Sequence, residues 1–337
     1  MAVTLKDVAE RAGVSRSAVS RTFTAGASVS DKMRRKVEKA ARDLGYSPNA
    51  LASSLTTGRT KLIGLVSDNF HNPFFLEIFD LFTRALQDRG LRPLLLNLSG
   101  ETNPKNAVRM MQQYSVDGVV VASSTLPPSF AQIFGQAGIP VVHAFGRRSS
   151  EPQVHVVDID NIECGRMAAR TLMARGYTHV AFLGGPESAT STQDRYTGFV
   201  SEMAKHPQIT TSYSFASDYS FDAGHREMRR LLAAGPAQAY FGGDDVISIG
   251  ALAAMQEHGL RVPEDIGIIG LNDMAMARWQ NINLTTIHQP IRDIVSSSVD
   301  LMTSLLTDED RHPESRIFSC HVVERGTLRP KHTAQAF

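Results

Sequence analysis

The sequence has few cysteines and no long apolar run. Cys164 and Cys320 are the only cysteines among 337 residues, so we expect buried, reduced thiols rather than a disulfide framework. The eleven histidines show no HExxH or other paired ligand spacing, and we expect neither a metal site nor a cofactor. No stretch approaches eighteen apolar residues and no apolar run precedes a cleavage site, which predicts a cytoplasmic protein without a membrane span.

Motifs that carry catalysis are also missing. The sequence contains no GxSxG motif, no Walker loop and no GxGxxG motif, and Gly184-Gly185 is too short to hold a phosphate. We therefore do not expect an enzyme.

Charge is distributed unevenly along the chain. The formal net charge is only +1, but residues 1–60 carry eleven Lys and Arg against five Asp and Glu, whereas the remainder carries 24 against 29. A basic segment of this kind suits a surface that binds phosphates, because each neutralised phosphate releases counterions. Basic segments also arise by chance in soluble proteins, so this pattern supports nucleic-acid binding without establishing it.

The segment Thr4–Phe23 predicts two short helices that meet at a sharp angle. Thr4 can cap the first helix, and Gly13 can take the left-handed conformation that ends it. Ser15 can then cap a second helix over residues 16–23. A third helix, capped by Ser30 and ended by Gly45, would close a small core.

The second helix has one apolar face and one polar face. Val19 and Phe23 are four residues apart and can face inward. The residues left facing outward are two arginines among small hydroxyls: Arg16, Ser17, Ser20 and Arg21. Such a surface suits a DNA major groove, because Arg can bond both acceptors of guanine. The alternative is an ordinary helical hairpin with a solvated outer face.

A short segment follows the third helix. Asn49 can cap a helix over residues 50–55, which is too short to be stable in water without other contacts. Leu55 would be an apolar side chain at its end. It either inserts between base steps of a minor groove or packs on the next domain.

From Lys61 onward, short apolar runs alternate with amphipathic stretches. The predicted strands are Leu62–Val66, Pro93–Leu98, Gly118–Ala122, Val141–Ala144, Val180–Leu183, Tyr213–Phe215, Ala239–Gly242 and Ile266–Leu271. The predicted helices include Phe74–Arg89, Pro104–Tyr114, Cys164–Arg175, Phe221–Ala233 and Val246–His258. This alternation predicts parallel sheets with helices on both faces, in two such units, and a ligand at the carboxyl ends of the strands.

Seven motifs along the chain point to one family: TLKDVAERAGVSRSAVSRTF, VSDKMRRKVEKAARDLGYSPNALASSL, TKLIGLV, NPFF, DRYTGF, GLRVPEDIGIIGLND and LTTIHQP. Together they closely resemble the lactose-repressor (LacI/GalR) family of bacterial transcription regulators. The resemblance implies an α/β body of two Rossmann-like subdomains of the periplasmic-binding-protein type I, preceded by an all-α helix-turn-helix headpiece. The implied divisions are a headpiece 1–46, a hinge helix or linker 47–60, and an effector-binding and dimerisation domain 61–337. In that domain the N-subdomain would span about 61–160 plus 291–319, and the C-subdomain about 161–290 plus 320–330.

By the same resemblance the protein regulates transcription, and repression is the expected direction. It would bind a pseudo-palindromic operator as a homodimer under the control of a small carbohydrate or phosphorylated metabolite. The C-terminus carries no leucine heptads, which favours a dimer over a tetramer. The alternative is a cytoplasmic sugar-binding protein without a DNA function.

The resemblance also assigns roles to residues. Arg16, Ser17 and Arg21 look like base readers, and Leu55 looks like the minor-groove wedge. The other DNA contacts implied are Thr4, Ser15, Ser20, Ser28, Asn49 and Ala52. The candidate effector-binding residues are Asn72, Phe74, Ser123, Asp160, Ser191, Arg195, Tyr219, Asp244 and Asn272. Arg195 has an alternative role as an ion-pair partner of Asp160 or Asp244. Phe145 stands where relatives often have a polar residue, which favours a less polar pocket.

Overall fold

In the computed structural model of the chain, residues 3–24, 27–47, 54, 58–99, 103–308 and 311–331 are described. Contacts between residues divide the chain into two units, residues 1–60 and 61–337. The described part of the first unit is helical, and the second unit is built from strands and helices.

Three helices form the core of the first unit as far as it is described. They are α1 (Leu5–Ala12), α2 (Arg16–Thr22) and α3 (Asp31–Leu44). Each begins at a hydroxyl residue whose side chain accepts a backbone N–H of the first turn. The predicted caps Thr4, Ser15 and Ser30 are confirmed, and α2 ends one residue earlier than predicted.

Two glycines in the left-handed conformation end the longer helices of this unit. Gly13 has φ 55° after α1, and Gly45 has φ 66° after α3. The next residue in each case donates back into the helix, from Val14 N to Ala9 O at 3.0 Å and from Tyr46 N to Ala41 O at 2.8 Å. The buried core of the unit is made of small apolar side chains: Val8, Ala9, Ala12, Val19, Val37, Ala40 and Ala41.

The second unit alternates strands and helices. Its first half contains β1 (Leu62–Ser67), α4 (Pro73–Asp88), β2 (Arg92–Asn97), α5 (Pro104–Gln113), β3 (Gly118–Ala122), α6 (Pro128–Gln136), β4 (Val141–Ala144) and β5 (His155–Ile159). Then follow α7 (Asn161–Met173), β6 (His179–Gly184), α8 (Thr190–Met203), β7 (Thr210–Phe215), α9 (Phe221–Ala234), β8 (Ala239–Gly242), α10 (Asp245–Glu257) and β9 (Gly267–Asn272). The last elements are a 3₁₀ turn (Ala275–Arg278), β10 (Thr286–His288), α11 (Ile291–Leu305), β11 (Ser315–Phe318) and β12 (His321–Val323).

These strands form two six-stranded sheets of the same design. The first sheet has the order β11-β5-β4-β3-β1-β2 and the second has β12-β10-β9-β8-β6-β7. Every pairing is parallel except that of β10 with β12. In both sheets the strand order reverses beside the first strand, which places a ligand crevice at the carboxyl ends there. The two-sheet α/β prediction is confirmed.

The chain passes between the two sheets three times. It crosses from β5 to α7, from β10 to α11 and from β11 to β12. The helix α11 packs on β3, β4 and β5 of the first sheet, although it follows a strand of the second. The two halves of the unit are therefore linked by three short connections, the arrangement that allows them to change their relative angle.

The sequence-based strand list omitted β5, β10, β11 and β12. The strand β5 is buried throughout but contains His155 and Asp158, which obscure an apolar run. The other three strands have only three or four residues each. Strands this short form because their sheet neighbours pair with them, and a periodicity analysis does not detect that.

Glycines bring α7 and α8 unusually close together. A Cβ at Gly198 would lie 1.9 Å from the carbonyl oxygen of Ile162, and one at Gly165 would lie 2.1 Å from that of Arg195. Only glycine fits at such a crossing. The close approach brings the middle of α8, which carries Arg195, against the first turn of α7.

Candidate nucleic-acid interface and ligand crevice

The polar face predicted for α2 is present in the structure. Its four predicted side chains are all exposed: Arg16, Ser17, Ser20 and Arg21. Ala18 and Val19, on the opposite face, are buried in the core of the first unit. Within the described residues neither arginine side chain forms an ion pair or a hydrogen bond, so both guanidinium groups are available to an external partner.

Two of the predicted DNA contacts also hold the helices in shape. Thr4 Oγ1 accepts from Asp7 N at 3.4 Å and donates to the Asp7 carboxylate at 2.8 Å. Ser15 Oγ accepts from Ala18 N at 3.2 Å and lies 2.9 Å from Ser17 Oγ. Ser28 is exposed. The predicted contacts Asn49, Ala52 and Leu55 lie outside the described residues, and of the helix predicted over 50–55 only Ser54 is described, in helical conformation.

A crevice between the two sheets collects most of the residues predicted to bind a ligand. Its lining residues are Asn72, Phe74, Phe75, Ser124, Phe145, Asp158, Arg195, Tyr219, Asp244, Asn272 and Gln289. The crevice encloses only about 10 Å³, less than the space that a single water molecule occupies comfortably. Its own side chains therefore fill it.

Asp244 holds the two sides of the crevice together. Its Oδ2 accepts from Asn72 Nδ2 at 3.1 Å, on the side of the first sheet, and from Asn272 Nδ2 at 2.9 Å, at the end of β9. Its Oδ1 accepts from Val246 N at 2.7 Å and caps α10. Burial raises the pKa of Asp244, and these hydrogen bonds partly oppose that shift.

Arg195 is buried in the crevice with only 4% of its surface exposed. Its Nε donates to Asn161 Oδ1 at 2.8 Å and its Nη1 to the carbonyl oxygen of Gly243. The suggested pairing of Arg195 with Asp160 or Asp244 is wrong, because α7 presents the amide of Asn161 to the guanidinium instead.

Asp160 and Asp158 take different places beside this arginine. Asp160 caps α7 by accepting from Glu163 N at 2.9 Å and lies 3.6 Å from Arg148. Asp158 is buried and accepts from Asn161 Nδ2 at 2.9 Å. Burial raises the pKa of Asp158 to about 8, although the positive charge of Arg195 acts in the opposite direction.

Hydroxyl groups of Tyr219 and α8 contact each other beside the crevice, and a backbone hydrogen bond from α8 crosses it. Tyr219 Oη lies 2.9 Å from Ser191 Oγ and 2.7 Å from Thr192 Oγ1. Ser191 N donates to the carbonyl oxygen of Ser124 at 3.2 Å. Ser123 lies next in the chain, but its hydroxyl donates to Asp68 at 2.8 Å, away from the crevice lining.

An aromatic wall closes the side of the crevice formed by the first sheet. The Phe145 ring meets the rings of Phe74 and Phe75 edge to face, with centroids 6.0 and 6.1 Å apart. Phe145 has φ 64°, and Asn272 opposite has φ 129°. Each such conformation costs about 1–3 kcal/mol in a residue other than glycine and is held by the surrounding structure. The expectation that Phe145 makes this pocket less polar agrees with its place in the wall.

A larger cavity adjoins the crevice and shares three of its residues, Phe74, Asn272 and Gln289. It has a volume of about 420 Å³, within the usual range for small-molecule sites. Gln289 was not among the predicted site residues, although it lies in the LTTIHQP motif. The crossing from β10 to α11 carries it into the site.

The remaining sequence expectations concern thiols, metals and membranes. Both cysteines are free; Cys164 is buried and Cys320 is half-buried. They are far apart in sequence, but the fold brings them together, and a hydrogen bond with Cys320 together with burial raises the pKa of Cys164. In the described part of the chain, no group of three or more His, Cys, Asp or Glu side chains is placed to hold a metal ion. None of the described helices has the length and apolar character needed to cross a bilayer.

Comparison with known proteins identifies the family. The profile for "Bacterial regulatory proteins, lacI family" matches residues 4–49, and that for "Periplasmic binding protein-like domain" matches residues 169–328. The HTH-type transcriptional repressor PurR of Pectobacterium carotovorum is 33% identical over 317 residues, which are 92% of each chain. The chain belongs to the lacI family of bacterial regulatory proteins.

Solved structures of other regulators share the fold over nearly the whole chain. A lac repressor dimer bound to operator and the anti-inducer ONPF superposes with a TM-score of 0.87 at 26% identity, covering 98% of this chain and all of that one. The transcriptional regulator CelR in complex with cellobiose gives a TM-score of 0.71 at 29% identity, covering 96% and 99%. This lacI-family protein is a DNA-binding transcriptional regulator under small-molecule control.

Proposed function

We propose that this lacI-family regulator is a repressor that binds a pseudo-palindromic operator through α2. The ligand in its crevice determines whether the protein stays bound to the operator or dissociates from it. The observation that carries the proposal is the pair of exposed arginines, Arg16 and Arg21, which have no partner among the described residues of a basic unit. An exposed guanidinium fork matches the two acceptors of guanine, whereas a solvated helix face would not need two arginines among small side chains.

The DNA-binding residues divide by chemistry. We assign base reading to Arg16, Ser17 and Arg21. The exposed hydroxyls then fix the position of α2 on the phosphates; they belong to Thr4, Ser15, Ser20 and Ser28. The assignments of Asn49, Ala52 and Leu55 remain predictions from the sequence, as do the division at 1–46, 47–60 and 61–337 and the subdomain boundaries within the last range.

We further propose that the regulator acts as a homodimer. A single α2 offers too few contacts for tight and specific binding, so two copies on successive half-sites are needed. The lac repressor that shares this fold is described as a dimer bound to operator.

Control by a ligand acts through the few contacts that span the crevice. Asn72 bonds Asp244, Ser124 bonds Ser191, and Arg147 forms an ion pair with Asp194. A ligand that binds one angle of the two halves better than another shifts their balance by its difference in affinity. Operator and effector affinities must then be coupled reciprocally.

The PurR, lac and CelR relatives are regulators, and we propose that this chain has no catalytic activity and acts in the cytoplasm. The alternative hypothesis from the sequence is a sugar-binding protein without a DNA function. That hypothesis does not explain the exposed arginines of α2.

The test is selection of bound duplexes from a random pool by the full-length chain, followed by a mobility-shift assay on the enriched sequence. We expect an inverted repeat to be enriched. In Arg16→Ala, base preference should relax at one position of each half-site, at a cost of roughly 1–3 kcal/mol per mismatched contact. Enrichment of no sequence at all would contradict the proposal.

A further inference from the structure

The only two cysteines of the chain lie at two of the three connections between the sheets. Cys164 is in the first turn of α7, directly after the crossing from β5. Cys320 lies in the crossing from β11 to β12. Phe318, the last residue of β11, pairs with Ile159, the last residue of β5, so these two crossings leave the first sheet side by side. The pairing of the two strands therefore brings the cysteines together.

The two cysteine side chains are in contact. Cys164 is only 2% exposed within a cluster of buried apolar side chains, and Cys320, which is half-buried, packs against the same cluster. Their thiols share a hydrogen bond, which together with burial raises the pKa of Cys164. Cysteines with distant or diverging side chains cannot form a disulfide unless the backbone moves. Thiols in hydrogen-bond contact do not meet that barrier.

The surroundings of the two thiols set the order in which they react. Burial keeps Cys164 protonated and out of reach of a reagent in solution, whereas Cys320 is partly accessible. The thiolate is the reactive form of cysteine, and its attack on a reagent requires access. Cys320 is therefore the residue that meets an oxidant first, and Cys164 is the neighbour that completes the reaction.

We propose that Cys164 and Cys320 form a redox site, at which a low-molecular-weight disulfide such as oxidised glutathione converts the two thiols into an intramolecular disulfide. The Cys320 thiolate attacks one sulfur of the reagent, forms a mixed disulfide and releases one glutathione thiolate. The Cys164 sulfur then attacks the Cys320 sulfur and displaces the second glutathione. Each cysteine gives its proton to a departing thiolate, so two protein thiols are oxidised while one glutathione disulfide is reduced to two thiols.

The disulfide joins the first crossing between the sheets to the third. The two halves of the second unit can then change their relative angle only as far as this bond allows. The thiols are in contact in the form whose crevice is filled, where Ser191 N donates to the carbonyl oxygen of Ser124 at 3.2 Å. Oxidation therefore holds the two halves in this arrangement. The thiol chemistry does not depend on the proposed function, whereas any effect of oxidation on operator affinity rests on that function.

The direct test is to equilibrate the folded, full-length chain with oxidised and reduced glutathione and then to alkylate and digest it for mass spectrometry. We expect a pair of peptides joined through Cys164 and Cys320, formed within one chain and separated again by dithiothreitol. The same treatment of the chain in denaturant should give less of this product, because the two thiols are then far apart. If the folded chain gives only mixed disulfides with glutathione or links between chains, the inference is overturned.

Hydrogen exchange reports whether the bond restrains the two halves. The amide of Ser191 lies in the first turn of α8 and has no acceptor inside that helix, so its bond to Ser124 is broken when the halves separate. We expect its exchange to be at least about tenfold slower in the oxidised parent than in the reduced parent. Exchange in α1 should not change. Equal exchange of the Ser191 amide in the two redox forms overturns the inference.

The matched control is Cys320→Ser, which keeps the size of the half-buried side chain but cannot form the disulfide. In this variant the oxidant should leave the exchange of the Ser191 amide unchanged. A slowing as large as that of the parent would place the effect of the oxidant elsewhere and would contradict the inference.

Failure of this inference is distinguishable from failure of the proposed function, because neither measurement uses DNA. A chain that retards its operator but forms no internal disulfide keeps the function and loses the redox site. A chain that forms the disulfide but binds no duplex keeps the redox site and loses the function.

Discussion

The arginines of the two units are placed in opposite ways. Arg16 and Arg21 of α2 are exposed and have no described partner, whereas Arg195 is 4% exposed and donates to two protein groups. A free guanidinium on a surface keeps its bonding capacity for a large, charged partner such as a DNA duplex. A buried, satisfied guanidinium instead fixes the geometry around it. Arginine therefore serves to recognise an external partner in the first unit and to stabilise the protein's own structure in the second.

The cores of the two units differ in the size of their buried side chains. The first unit, as far as it is described, has a core of small side chains such as Ala9, Ala12 and Ala41. The second unit buries whole aromatic rings, among them Phe75, Phe182 and Phe241. Changes to the outward-facing side chains of α2 should thus affect binding alone, while changes inside the second unit should affect stability as well.

The largest expected effect is that of Arg21→Ala on operator binding. Loss of one bidentate base contact costs about 1–3 kcal/mol, and a dimer loses it twice. The melting temperature should not change, because the side chain is exposed and unpaired. A mobility-shift titration measures the loss, with Arg42→Ala, an exposed arginine in the last turn of α3, as the control. Equal losses for both variants would show that charge alone matters.

Next in size is the effect of Arg195→Met on the second unit. Removing the guanidinium leaves Asn161 Oδ1 and the Gly243 carbonyl without their donor, at a cost of about 3 kcal/mol of unfolding free energy. Denaturant unfolding of the full chain measures this loss. At a temperature where the variant is folded, operator binding should be retained and the ligand response lost. A variant as stable as the parent would contradict a supporting role for Arg195.

Within a single pH unit, a smaller effect is expected in the pH dependence of stability. The pKa of Asp158 rises from 3.8 to about 8 on folding because the carboxyl is buried. The folded chain therefore binds a proton that the unfolded chain releases, and stability falls as pH rises from about 4 to about 8. The contribution of one such group is at most about 1.4 kcal/mol per pH unit.

Asp158→Asn removes this contribution, so its profile of unfolding free energy against pH should be flatter over that range. Burial also raises the pKa of Asp245, to about 7, so the unfolding free energy of the variant should still depend in part on pH. Parallel profiles for the parent and the variant would mean that Asp158 does not carry the proton.

The smallest expected effect is that of Thr4→Ala on α1. The variant loses the acceptor for Asp7 N and one half of the capping box, at a cost of about 1 kcal/mol. Hydrogen exchange of the α1 amides should accelerate, while exchange in the second unit should not change. Thr4→Ser keeps the hydroxyl and should restore the parent rate. Acceleration in both variants would place the effect elsewhere than in the cap.

Local signals in the sequence were sufficient for the first unit. Thr4, Ser15 and Ser30 begin their helices and Gly13 and Gly45 follow them as predicted, because caps and left-handed glycines act within a few residues of chain. The alternation of strands and helices likewise predicted two parallel sheets, since βαβ order leaves few other folds.

Only the tertiary structure decided the chemistry of the crevice. Whether Arg195 would pair with a carboxylate or an amide depended on the crossing of α7 and α8 at Gly165 and Gly198. Gln289 entered the site because the chain crosses between the sheets there, and nothing in its sequence neighbours marks it as a site residue. Helix caps are settled by groups three or four residues apart, whereas a buried hydrogen-bond network is settled by groups that only the complete fold brings together.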